Sequence, residues 1–319
     1  MKFSKKICVS HRVSFDKYSK KLCNIFWEYL LKIKRFGIKV FSYQYLAYYT
    51  TITMKLIDKF IKSFNKKKIL VLSGWGFRWL YSVWILKWLE ELGINKDIDA
   101  VFGVSIWAIV GWCWCSGMSA DEIYDLSLSL SVDKFYGTDM LKKSGWILPN
   151  KKIKWIIDQY ICPSFEKLKK KLYVWVVDTN TAKYKLFDKW DLHTIILGSM
   201  SIPAVFPPVA YEDNLFVDWG LLNNFPVDLA KQIYPHHEII WVALSKFQEN
   251  QKIGTFWDNL SVCYDILMRS KLTENMKLAD VLFCRDIDIP VLSLDKKKMT
   301  EAYKLGYKDC IEKFKNTYK

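Results

Sequence analysis

The feature that most narrows the fold is a repeated unit, in which a short, uncharged apolar run ends in a loop and is followed by a stretch of helical length. Ile69-Leu70-Val71-Leu72 runs into Ser73-Gly74, and Leu80 to Leu92 then reads as a helix closed by Gly93. Ala100-Val101-Phe102-Gly103-Val104 runs into Ser105, and an apolar helix follows to Gly117. Runs this short and this apolar suit strands covered on both faces. Leu172 to Val177, Leu215-Phe216-Val217 and Glu238 to Leu244 predict three more strands. Ser119-Ala120-Asp121-Glu122 has the spacing of a capping box, and Pro226 stands where a helix would begin. Strands alternating with helices give an α/β class with a mostly parallel central sheet.

In such a sheet, ligands gather at the carboxyl ends of the strands. Three segments fall there: Ser73-Gly74-Trp75-Gly76-Phe77-Arg78-Trp79, Gly103-Val104-Ser105-Ile106-Trp107 and Asp218-Trp219-Gly220. Ser105 lies between a buried strand and a helix, the context of a nucleophile elbow. The same position suits a plain N-cap serine. The 74–79 loop opens a helix, so its N–H groups suit an anion. A pyrophosphate is one candidate, giving a nucleotide-binding protein, but no acidic residue ends the next strand as a dinucleotide site requires. An oxyanion formed when Ser105 attacks a carbonyl is the other.

The order of these segments resembles the patatin-like phospholipase family. That family has a strand–glycine loop, then G-x-S-x-G, then Asp-Gly-Gly or Asp-Gly-Ala. Ser201-Ile202-Pro203-Ala204-Val205-Phe206-Pro207-Pro208-Val209 is similar to the stretch before the family's Asp. Leu221-Leu222-Asn223-Asn224-Phe225-Pro226-Val227 resembles the stretch after that Asp motif, and Gly117 to Ile123 also reads like the family. The likeness covers roughly residues 68–245. It implies a three-layer, modified α/β-hydrolase-like fold. It also implies a serine acyl hydrolase of phospholipid or lysophospholipid esters that needs no cofactor and no metal. Ser105 matches the nucleophile and Asp218 the base of a Ser–Asp dyad. Gly74, Trp75, Gly76 and Arg78 match the oxyanion loop. Gly103, Trp107, Trp219 and Gly220 flank the two catalytic residues.

The departures from the family are all of one kind. The chain has 15 Trp and only 13 Gly in 319 residues, against about 7% Gly in ordinary proteins. Trp stands at 75, 79, 107 and 219, and again at 84, 88, 112, 114, 190 and 241, where the family commonly has Gly or another small residue. One cause fits them all: UGA codons that mean glycine, as in some bacterial lineages, rendered here as tryptophan. On that expectation an indole at 75 fills the oxyanion loop and one at 107 collides with the elbow. If the Trp residues are real, a catalytically dead lipid-binding or scaffold protein is the alternative. A histidine base would have to be His236 or His237, the only ones after Asp218.

The remaining expectations concern partners and organisation. The net charge is +15, and only five of the 48 basic residues are Arg. Such usage follows from AT-rich codons, or marks attraction to an anionic membrane face. No nucleic-acid motif is present. Neither a signal peptide nor a run of transmembrane length is evident, so a cytoplasmic protein with reduced thiols, peripheral at the inner membrane face, is expected. Residues 1–67 read as a Lys- and aromatic-rich amphipathic extension, either solvated or an interfacial anchor, with translation from Met54 a third option. Residues 68–248 read as the catalytic domain and 249–319 as a helical cap.

Overall fold

The computed structural model describes residues 67–73, 79–129, 162–203, 206–218, 220–244 and 271–285. It also describes Asp158 and scattered positions within 253–269 and 300–310. The expected N-terminal extension, apart from Lys67, and the loop 74–78 lie outside them.

The elements are β1 (Lys68–Leu72), α1 (Leu80–Leu92), β2 (Ile98–Gly103), α2 (Ile106–Ser116), α3 (Ala120–Ser129), β3 (Lys171–Asp178) and β4 (Lys183–Phe187). They continue with α4 (Leu192–Ser199), β5 (Val209–Tyr211), β6 (Asn214–Asp218), α5 (Gly220–Asn223), α6 (Val227–Ile233), β7 (Glu238–Leu244), α7 (Leu272–Met276) and β8 (Val281–Arg285). All the strands belong to one sheet. Neighbours β3-β2-β1-β7-β8 run parallel. β4 and β6 join β3 antiparallel, and β5 joins β6 antiparallel.

Alternation along the strands builds three layers. Ile69, Val71, Ala100, Phe102, Trp175, Ile239 and Trp241 face one way, onto Phe225 and onto Val227 and Ala230 of α6. Leu72, Val101 and Leu172 face the other, where a Cβ on Gly111 of α2 would touch all three. α4 lies beside α2 on that second face, against β3, β5 and β6. Strands covered on both faces need the uncharged runs seen in the sequence. No helix among the described residues is long and apolar enough to cross a membrane.

Two local signals act as the sequence predicts. Glu122 accepts from the Ser119 N–H at 2.7 Å, and the Ser119 hydroxyl accepts from the Glu122 N–H at 3.3 Å, a reciprocal capping box. α2 ends at Gly117 in the left-handed region, φ 101°. Two differ. β8 comes from the stretch expected to be a helical cap and pairs with β7. α4, β4 and β5 carry no clear sequence signal, because their short runs are half exposed or interrupted by Gly and polar residues.

Candidate active site

β2 ends at Gly103, and α2 begins at Ile106. The chain must therefore reverse within two residues, and Ser105 takes φ 57° and ψ −136° to do so. A non-glycine residue held there carries strain of about 1–3 kcal/mol. A Cβ on Gly103 would lie 2.7 Å from the Ala108 Cα and 3.1 Å from the Trp107 carbonyl oxygen. Only glycine fits where the turn folds back on itself. Although Ser105 occupies the N-cap position, its hydroxyl makes no cap hydrogen bond. It donates instead to Asp218 Oδ2 at 2.5 Å.

The register explains how residues 113 apart in sequence meet. Val174 of β3 pairs with Gly103 of β2 on one edge and with Phe187 of β4 on the other. β4 holds that second edge out to Asp178, while Val176 also pairs with Asp218 of β6. β2 and β6 must therefore share the first edge, meeting end to end. The gap between them spans Val174 to Val176, two residues or about 7 Å of strand. The elbow leaves β2 at that gap, and β6 delivers Asp218 into it.

Asp218 is buried (1% exposed). Its Oδ1 accepts from the Gly220 N–H at 2.8 Å, leaving Oδ2 for Ser105. Burial raises its pKa to about 6, against the opposing pull of the hydrogen bonds from Ser105 and Gly220. A carboxylate so placed is still mostly ionised at neutral pH and can take a proton.

α4 braces both residues from the second face. Ser199, its last residue, accepts from the Ser105 N–H through its hydroxyl oxygen at 3.1 Å, and the Asp218 N–H donates to the Ser201 carbonyl at 3.0 Å. The helix comes this close because it carries Gly198, where a Cβ would lie 2.9 Å from the Phe216 Cβ and 3.4 Å from Val176 Cγ1. Gly198→Ala is therefore expected to destabilise the fold by about 1–3 kcal/mol through overpacking, although Ala is the better helix former by about 1 kcal/mol. Urea unfolding of the variant checks the sign. Sequence reasoning misses Ser199; a serine at a helix end, 94 residues from its partner, carries no spacing signal.

The other expected site residues divide into two groups. Gly74, Trp75, Gly76, Arg78 and Trp219 lie outside the described residues. Trp107 is described, as the second residue of α2. It is wholly buried (0% exposed) and the Ser105–Asp218 bond stands beside it. The strain of the misfit lies in its Nε1, which is buried and lacks a hydrogen-bond partner, a loss of about 1–3 kcal/mol. The indoles of Trp112, Trp114 and Trp241, by contrast, donate to the Cys162 carbonyl, Glu90 and the Ser73 hydroxyl.

No described histidine competes for the base. His237 Nε2 pairs with Asp99 at 3.2 Å, at the start of β2. That is six residues, about 20 Å of strand, from the elbow. His193 pairs with Asp158 at 2.7 Å and lies against Trp112, while His236 is exposed. The nearby thiol of Cys113 is buried and pushed up to about 12, a poor nucleophile.

Residues 70–231 match the family described as Patatin-like phospholipase, half of the chain. Among curated proteins, the "Probable lipid hydrolase 463L" of Invertebrate iridescent virus 6 is 30% identical over 203 residues, 55% of this chain and 69% of that one. The "Lysophospholipase NTE1" of Candida albicans is 24% identical over 274 residues, 76% of this chain but only 20% of that protein. Among solved structures, VipD of Legionella pneumophila superposes with a TM-score of 0.49 at 13% identity, covering 79% of this chain and 67% of that one.

Proposed function

The chain belongs to the patatin-like phospholipase family, and from that premise we propose that it is a serine acyl hydrolase of lipid esters, of phospholipase A or lysophospholipase type. The observation that carries the proposal is the 2.5 Å hydrogen bond from the strained, buried Ser105 to Asp218. Asp218 takes the Ser105 proton as Oγ attacks the ester carbonyl. The tetrahedral intermediate collapses with cleavage of the ester C–O bond, and Asp218 returns the proton to the departing alcohol. Water then attacks the acyl-enzyme as Asp218 accepts its proton, and the second tetrahedral intermediate collapses with cleavage of the acyl C–Oγ bond, releasing the carboxylic acid while Asp218 returns the proton to Ser105 Oγ.

The oxyanion is assigned to the N–H groups of Gly74, Trp75 and Gly76, with Arg78 orienting the loop or a lipid phosphate. Two facts favour this assignment. The loop keeps Gly74, Gly76 and Arg78 of the family's pattern, with Trp at 75 and 79, and it leaves β1 where Leu72 pairs with Gly103, level with the elbow on the neighbouring strand. A Lys-rich surface and a cytoplasmic, membrane-peripheral location suit an interfacial substrate.

A fluorophosphonate probe tests the proposal. The protein with glycine at 75, 107 and 219 is expected to be labelled at Ser105, and Ser105→Ala in that protein is expected to abolish both labelling and ester hydrolysis. A folded protein that resists labelling belongs instead to the lipid-binding alternative.

A further inference from the structure

We propose that Ser199 is a positioning residue, whose side-chain oxygen holds the nucleophile elbow in its reactive conformation through the Ser105 N–H; this rests on the Ser105–Asp218 dyad proposed above. Ser105 carries a positive φ, and its backbone N–H donates outside α2. That donor is buried. Its acceptor is a side chain from the other side of the chain's topology, Ser199 Oγ at 3.1 Å. Ser199 is itself wholly buried (0% exposed), so no bulk water replaces it. Two residues onward, just past the helix end, the Ser201 carbonyl fixes the Asp218 N–H. A single helix end thus sets the positions of both dyad members, one through a side chain and one through the backbone.

The two contacts differ in what a mutation reaches. The Ser201 carbonyl survives any substitution, whereas the Ser199 acceptor is lost with its hydroxyl. Without it the buried Ser105 N–H has no partner, and the elbow has a reason to leave φ 57°. Any such relaxation moves Oγ away from Asp218. Displacements of about 1 Å at a reacting atom lower rates by about a hundredfold, while Ser199, wholly buried, makes no direct contact with substrate. Ser199 is therefore expected to act on kcat and not on KM.

The test uses the full chain with p-nitrophenyl butyrate. Ser199→Ala is expected to lower kcat about 10–100-fold with KM within about twofold. Fluorophosphonate labelling slows in parallel, and the acid limb of the pH profile stays where Asp218 sets it. Ser199→Cys keeps the volume but offers a weak acceptor, and the same loss is expected. Ser199→Thr keeps the oxygen and restores most of the rate. Ser127→Ala, which removes another buried hydroxyl, one that donates to the Ile123 carbonyl of its own helix, controls for general loss of stability and keeps the parent kcat. A folded Ser199→Ala or Ser199→Cys protein with the parent kcat overturns the proposal while Ser105→Ala remains dead. Activity surviving in Ser105→Ala overturns the dyad itself.

Discussion

Ester hydrolysis is expected to fall on the acid side of neutrality with a midpoint near pH 6, and to lose a further tenfold for each pH unit below it. The cause is Asp218. Burial raises its carboxyl to about 6, and only its ionised form can take the Ser105 proton. Between about pH 7 and 8.5 the rate is flat, because the base is already charged. Asp218→Asn removes the base, and kcat is expected to drop by about 10²–10⁴. A histidine base would give a similar midpoint, so the profile is measured again in His236→Asn and His237→Asn. Both are expected to retain the limb. A limb that disappears with either histidine defeats the Ser–Asp assignment.

The same carboxylate makes an opposite prediction for stability. Its folded pKa lies above the ordinary 3.8, so the fold prefers the protonated form. That contribution is full below about pH 3.8 and is lost as the pH rises through about 6. At neutral pH the chain therefore bears a buried charge with two hydrogen bonds and, among the described residues, no paired cation. Asp218→Asn is expected to melt no lower than the parent at about pH 7.5, and the difference is expected to shrink towards pH 4. An inactive variant that is no less stable is the outcome for a residue kept for chemistry.

Much of this arrangement is legible in the residues alone. The apolar runs at 69–72 and 100–104, the helices closed by Gly93 and Gly117, and the Ser119–Glu122 box are local devices, and the fold uses each of them. What the sequence conceals is set by pairing at a distance. β8 is a short run in a polar region, and β7 alone makes it a strand. The end-to-end meeting of β2 and β6 depends on a shared edge of β3, which no periodicity encodes. Asp218 stands out because a family motif marks it, and Ser199 does not because none does.

The largest gain is expected from replacing tryptophan by glycine at 75, 107 and 219 together. Two described positions support the idea that UGA codons meaning glycine underlie these residues. Trp190 holds φ 77° with more than half its surface exposed. Backbone of that kind is ordinary for glycine and costs a bulky residue about 1–2 kcal/mol. Trp107 is the second residue of α2, immediately after the elbow, with its indole N–H buried and unsatisfied. If tryptophan were native at 107, truncation to glycine would leave a large cavity and cost about 3–5 kcal/mol. If glycine is native, the triple variant folds at least as well as the parent, and its fluorophosphonate labelling and kcat/KM rise about a hundredfold or more as the oxyanion loop is cleared. The two cases differ in sign for both stability and rate, so neither can imitate the other. At 112, 114 and 241 the indoles are hydrogen bonded, and no such gain is expected from single changes there. UGG codons at 75, 107 and 219, or a triple variant that unfolds and stays unlabelled, would return those tryptophans to the native protein and favour the lipid-binding alternative.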